Sequence, residues 1–91
     1  MKFPFKEKQI SKQLFLREFS ANVDEMDLIW HTDREDRIVH VLEGNKWKFQ
    51  FDEQLPFEML DGIDIIIPKG IIHRIIKGKG PLKINLQKHA L

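Results

Sequence analysis

Few residues in this chain are equipped for chemistry, and the spacing around one of them has mechanical content. In Gly62-Ile-Asp-Ile-Ile-Ile-Pro68-Lys-Gly70-Ile-Ile-His73, an apolar run ends in proline and glycine, and a histidine follows. Ile63 to Ile67 reads as a short buried strand, Pro68 and Gly70 as a tight turn, and His73 as the opening of the next strand. A turn of that kind delivers the imidazole to a fixed place on a rigid sheet, where it can ligate a metal, move a proton or hold a ligand. The chain has four histidines and no cysteine. Thiolate nucleophiles, disulfides and cysteine-held zinc or iron-sulfur centres are excluded, so any metal must be held by histidine, carboxylate or water. Hydrolytic nucleophile chemistry is not expected either. There is no serine, histidine and acid arrangement with nucleophile-elbow glycines, no phosphate-binding glycine loop and no evident catalytic carboxylate pair.

The elements that must position these residues read as β throughout. Residues 1–10, basic and aromatic with a proline, suit an edge strand or an ordered tail. Ser11 to Phe19 reads as an alternating strand, and Ser20 to Asp27 as a polar, acidic connection. Leu28-Ile29-Trp30-His31 resumes an apolar strand, the charged segment Thr32 to Asp36 follows, and Ile38 to Leu42 is a further β-branched run. Glu43-Gly44-Asn45 then turns the chain, and Trp47, Phe49 and Phe51 alternate with Lys48, Gln50 and Asp52, which reads as a hairpin. Short strands are expected near Phe57 to Leu60, over His73 to Lys77 and over Leu82 to Leu86, with Gly78-Lys79-Gly80-Pro81 as a turn. Strands of four to six residues at such regular spacing argue for an all-β sandwich or barrel.

At 91 residues the chain is expected to be one domain with one core. Fifteen basic and fourteen acidic residues are interspersed, for a formal charge of +1, so no nucleic-acid footprint is present. Neither a signal-peptide apolar region nor an uncharged run near the roughly 20 residues of a membrane span occurs. The expectation is a cytoplasmic protein with no nucleic-acid or membrane partner.

These residues resemble the cupin superfamily. Its second motif reads Gly, five residues, Pro, one, Gly, two, His, three, Asn. Gly62, Pro68, Gly70 and His73 match it at every spacing, and Lys77 stands where the asparagine would be. In the first motif two histidines and a glutamate precede a glycine, and together with the second-motif histidine they bind a divalent metal. Counting back from Gly44 puts Arg37 at the glutamate, Asp33 at the second histidine and His31 at the first. The resemblance spans roughly residues 28–86, with motif one at about 28–44 and motif two at 62–77. It is strongest to short single-domain bacterial cupins with Trp-His-x-Asp-Arg-x-Asp-Arg ahead of the Val-Leu-Glu-Gly turn. It implies a single domain over 1–91 with the all-β cupin-type barrel, a double-stranded β-helix or jelly roll.

Period-two alternation puts His31 and Asp33 on one side of their segment and Arg37, Val39 and Val41 on a common face. With the cupin topology these look into the barrel beside His73. Two chemistries follow, and a third reading has none. In the first, the fork of Arg37 anchors a small anionic molecule, His31 and His73 add donors, and Trp30 and Gln50 line the pocket. The parity of the Gln50 strand is open, since Trp47, Phe49 and Phe51 equally suit the packed face. In the second, His31, Asp33 and His73 hold Fe, Mn, Ni or Zn for an oxygenase- or isomerase-like enzyme, with the cation of Arg37 opposing that ion unless a carboxylate neutralises it. If Asp33 pairs with Arg37, a ligand is lost to the metal. The third takes Asp33 to Arg37 as an exposed ion-pair cluster on a barrel that binds nothing and serves as a dimeric interaction module. The preferred expectation is the small-molecule-binding cupin, with the metal-dependent enzyme as alternative and a divalent metal or none as cofactor. The resemblance implies a homodimer, since cupins commonly pair through sheet faces and N-terminal strands, and the isoleucines of 63–76 occupy both parities, as strands buried on both faces would. His40 is expected outside the barrel or at a subunit contact, and His89 in a solvent-exposed tail.

Overall fold

Alternation of apolar and polar side chains sorts the chain into two facing antiparallel sheets. A computed structural model describes residues 3–89. Its strands are β1 (Lys6–Gln9), β2 (Leu14–Phe19), β3 (Asp36–Glu43), β4 (Lys48–Phe51), β5 (Phe57–Glu58), β6 (Asp64–Ile67), β7 (His73–Ile76) and β8 (Leu82–His89). One sheet runs β1-β2-β8-β3-β6 and the other β5-β4-β7. Between the sheets lie Phe19 of β2, Val39 and Val41 of β3, Phe49 of β4, Ile65 and Ile67 of β6, and Leu82, Ile84 and Leu86 of β8, all buried. Each such side chain contributes about 1.5–3 kcal/mol relative to exposure. Among the described residues no helix is long and apolar enough to cross a membrane.

Trp47 is the hub of this core. It is fully buried, packs on Phe19 at 5.6 Å between ring centroids, and donates its indole N–H to the carbonyl of Gly80 at 2.7 Å. The chain closes round it so tightly that a Cβ on Gly44 would run into the backbone carbonyl of Met59.

Several expectations are corrected. The turn at Gly44 does not make a hairpin: β3 pairs with β6 and β8, whereas β4 pairs with β5 and β7. The chain crosses there from one sheet to the other, through Asn45 and Lys46 at positive φ, while the Gly44 N–H bonds the Asp61 carboxylate. The apolar run Leu28 to His31 does not form a strand. Only His31 finds a bridge partner, and a 3-10 turn at Glu25–Asp27 precedes it. β6 is buried on one face only, since Ile65 and Ile67 point inward and Ile66 is 68% exposed. His89 belongs to β8 rather than to an exposed tail, and its Nε2 is buried without a hydrogen-bond partner. Of the strand or tail expected over 1–10, Lys6–Gln9 is an edge strand, and residues 1 and 2 lie outside the described residues.

Candidate functional site

Backbone pairing alone brings the two histidines together. His31 and His73 face each other in an antiparallel bridge, each N–H donating to the other's carbonyl at 3.0 Å. Residues so paired project their side chains to the same face of the sheet. The imidazoles accordingly meet edge to face with centroids 4.3 Å apart, and the His73 ring stacks on Phe49 at 5.4 Å.

Asp33 is held by the turn that delivers His73. The N–H of Gly70 donates to the Asp33 carbonyl at 2.9 Å, and the N–H of Lys69 donates to the Asp36 carboxylate at 2.9 Å. Gly70 adopts φ 77°, a conformation that favours glycine. The Pro68–Gly70 turn thus fixes both halves of the site, and the Asp33 side chain ends up 4% exposed. Its Oδ2 lies 3.3 Å from His73 Nε2, and its Oδ1 lies 3.1 Å from Arg37 Nη1 and 3.9 Å from His31 Nε2. One ligand atom from each of His31, Asp33 and His73 lies within 4.8 Å of the others.

The electrostatics of this group are lopsided. His31 Nδ1 sits 3.1 Å from the Ile29 carbonyl and His73 Nδ1 sits 2.8 Å from the Ile71 carbonyl. A carbonyl only accepts, so the proton of each neutral ring is on Nδ1 and the lone pair is on Nε2. Both lone pairs therefore face a carboxylate, and Asp33 Oδ2 is buried with no hydrogen-bond partner. Acceptors converging without a donor are unfavourable unless something positive sits between them.

Burial holds the His73 pKa below its ordinary 6.5, against the bond to the Ile71 carbonyl, and His31 adds to the lowering. Below pH 6.5 the unfolded chain then binds a proton that the folded chain refuses. The stability tied to His73 is complete above pH 6.5 and is lost as the pH falls from there toward the lowered folded value. In chelator-treated protein the melting temperature is expected to drop between pH 7.5 and 5.5, and His73→Gln to flatten that drop. Parallel slopes in the two proteins would contradict it.

Arg37 lies on the inward parity of β3 with Val39 and Val41, as alternation predicts. Its fork is already engaged: besides Asp33, its Nη2 bonds Glu35 Oε1 at 3.1 Å, and its Nε is buried without a partner. The guanidinium is thus turned toward two carboxylates of the chain itself rather than presented to an anion. Asp33 does pair with Arg37, yet only through Oδ1, so a ligand oxygen remains.

Gln50 and Trp30 do not join the group. With Trp47, Phe49 and Phe51 turned inward, Gln50 projects outward and accepts from Arg74 Nε at 2.9 Å, and the Arg74 guanidinium lies 4.5 Å from the Trp30 ring centroid. Strand register sets two rows across this sheet, Phe51, His73 and His31 inside and Gln50, Arg74 and Trp30 outside. His40 is likewise on an outer face, bonded to Asp64 at 2.6 Å.

One polar pair at the edge of the larger sheet goes beyond the residues singled out from sequence. Arg17 shares the inward face of β2 with Phe15 and Phe19, gives Nε and Nη2 to Glu7 Oε1 at 2.9 and 2.6 Å, and rests 3.8 Å over Phe5. Burial lowers its pKa and Glu7 raises it again. The parity of Phe15, Arg17 and Phe19 was the available signal. Four surface depressions are lined by residues outside the His31, Asp33, Arg37 and His73 group, one of them by Phe51, Ile66, Pro68, Ile71 and Ile72. His31, with its side chain 46% exposed, is the side of the group open to solvent.

No protein-family model and no curated protein sequence matches the chain. Solved structures do. A cupin-2 domain protein from Shewanella frigidimarina superposes with a TM-score of 0.65 at 21% identity, over 94% of this chain and 79% of that one. A cupin-domain protein from Bordetella pertussis gives 0.63 at 15% identity, over 99% of both. The Fe(II) form of HppE gives 0.66 at 14% identity, over 84% of this chain and 41% of that one, so the chain spans under half of that longer protein. Eight strands among the described residues, in two facing antiparallel sheets that superpose on these proteins at low identity, give the chain the all-β cupin barrel fold.

Proposed function

We propose that this chain is a metal-binding cupin in which Nε2 of His31, Nε2 of His73 and Oδ2 of Asp33 hold one divalent transition ion, with a small molecule completing the coordination. One observation carries the reading. Two imidazole lone pairs and an unpartnered, buried carboxylate oxygen converge where no described residue donates to them. Two histidines and one carboxylate suit Fe(II), and also Mn, Ni or Zn. The fold neighbour HppE was solved with Fe(II), which supports the reading without identifying the metal here.

When bound, such an ion supplies a Lewis acid to an oxygen donor of the small molecule. The chain's own residues do the rest. The Ile29 and Ile71 carbonyls aim Nε2 inward, Phe49 holds the His73 ring, and Arg37 orients Asp33 through its contact with Oδ1. Access is from the His31 side. A homodimer is part of the proposal, and exposed Ile66, Ile71 and Ile72, which line one depression, are the surface it would cover.

Untagged protein titrated anaerobically with Fe(II), Mn(II), Ni(II) or Zn(II) tests the reading. Close to one equivalent is expected for at least one ion. At about 100 times its Kd the ion should add about 2.7 kcal/mol, a rise of roughly 10–20 °C in Tm. Less than about a tenth of an equivalent of every ion, with no thermal shift, would remove the metal from the site.

A further inference from the structure

The metal reading gives Arg37 a part in orienting Asp33, yet it also puts a permanent cation one carboxylate away from where a divalent ion would sit. Its surroundings are specific. Arg37 is fixed at the start of β3 opposite Ile67, its side chain is 16% exposed, Nη1 is on Asp33 Oδ1 and Nη2 is on Glu35 Oε1. Asp33 is buried, whereas Glu35 comes from the loop before β3.

Two consequences follow from charge alone. Without an ion in the site, Arg37 is the one cationic group with a polar atom within 3.5 Å of the Asp33 carboxylate among the described residues, so it keeps the vacant group from being a lone buried charge. With an ion present, the same guanidinium repels it and draws on the same carboxylate, and Glu35 offsets part of that repulsion.

We propose that Arg37 is an internal competitor for Asp33, which stabilises the metal-free barrel and holds metal affinity down, and that Glu35 sets how strongly it competes. This rests on the metal reading. Asp33 is confined by the pairing to one free oxygen, so the described residues offer two nitrogens and one oxygen. A site arranged this way releases its ion readily and does not need it to fold.

The test measures the Kd of Co(II) by competition with a chromophoric chelator, and the metal-free Tm, for full-length wild type, Arg37→Gln and Glu35→Gln. Arg37→Gln is expected to bind Co(II) about tenfold or more tightly while its metal-free Tm falls, and Glu35→Gln to bind several-fold more weakly. Equal or weaker binding by Arg37→Gln would overturn the proposal and make the arginine a plain positioning residue. An unchanged Kd in Glu35→Gln would overturn it too, and that loop substitution carries the test should Arg37→Gln fail to fold. Absence of Co(II) binding in every protein, wild type included, would instead count against the metal reading itself.

Discussion

Asp33→Asn is expected to leave the barrel folded and to abolish its response to metal. The substitution keeps the shape of the side chain and changes what it offers. The amide oxygen still accepts from Arg37 in place of Oδ1, and the amide N–H takes the place of Oδ2, 3.3 Å from His73 Nε2. A clash of two acceptors becomes a hydrogen bond, which offsets the weakening of the charge-assisted bond to Arg37 by about 1 kcal/mol in each direction. The metal-free Tm should therefore stay within a few degrees of wild type. The ligand oxygen is gone, however, and affinity should fall by more than about 100-fold, beyond the loss typical of a partner that only supports a ligand. Chelator competition and thermal shift, run side by side, separate the two effects. Metal stabilisation of Asp33→Asn equal to wild type would show that Asp33 is not a ligand.

Trp47→Ala carries the largest expected loss of stability. The indole is fully buried at the corner where the chain changes sheets, and its N–H meets the Gly80 carbonyl. Removal leaves a cavity bounded by the tight backbone around Gly44 and Gly78, which cannot collapse far because a single Cβ at either glycine already has no room. The cost is about 3–5 kcal/mol, a large share of the 5–15 kcal/mol typical of such domains. For a chain of this size that lowers Tm by roughly 15–30 °C. Trp47→Phe retains most of the packing and loses the hydrogen bond, for about 1–2 kcal/mol. Circular-dichroism melts should rank wild type, Phe and Ala in that order, and a drop of less than about 5 °C for Ala would mean that the core does not hinge on this residue.

Local pattern made some of this architecture legible and could not reach the rest. The parity of β3 was readable because Arg37, Val39 and Val41 stand at every second position, and the Pro68–Gly70 turn announced itself through its residue types. The crossing at Gly44 was not readable. A glycine turn between two alternating strands looks the same whether the chain folds back in its own sheet or passes to the facing one. What decides is that Val41 bonds backbone near Ile63 rather than near Lys48, a partnership between distant residues. Leu28 to His31 failed for a related reason, since apolar composition does not show that only His31 has a partner. At the site, the resemblance supplied His31, Asp33 and His73 as a set. Their hydrogen bonding, which leaves Oδ2 free and occupies the Arg37 fork, exists only in three dimensions.

The antiparallel bridge between His31 and His73 has a kinetic side. The two residues are about 40 apart in sequence, and the ring between them includes strands of both sheets. Bringing such ends together costs about 3–4 kcal/mol of chain entropy, which the unfolded ensemble does not give up piecemeal. The donor set therefore has no precursor in a half-built barrel, and an ion cannot template the fold from a local fragment. On the proposed metal reading, the ion would arrive after closure and then act as a latch whose release precedes global opening. Unfolding rates, more than folding rates, should register its presence.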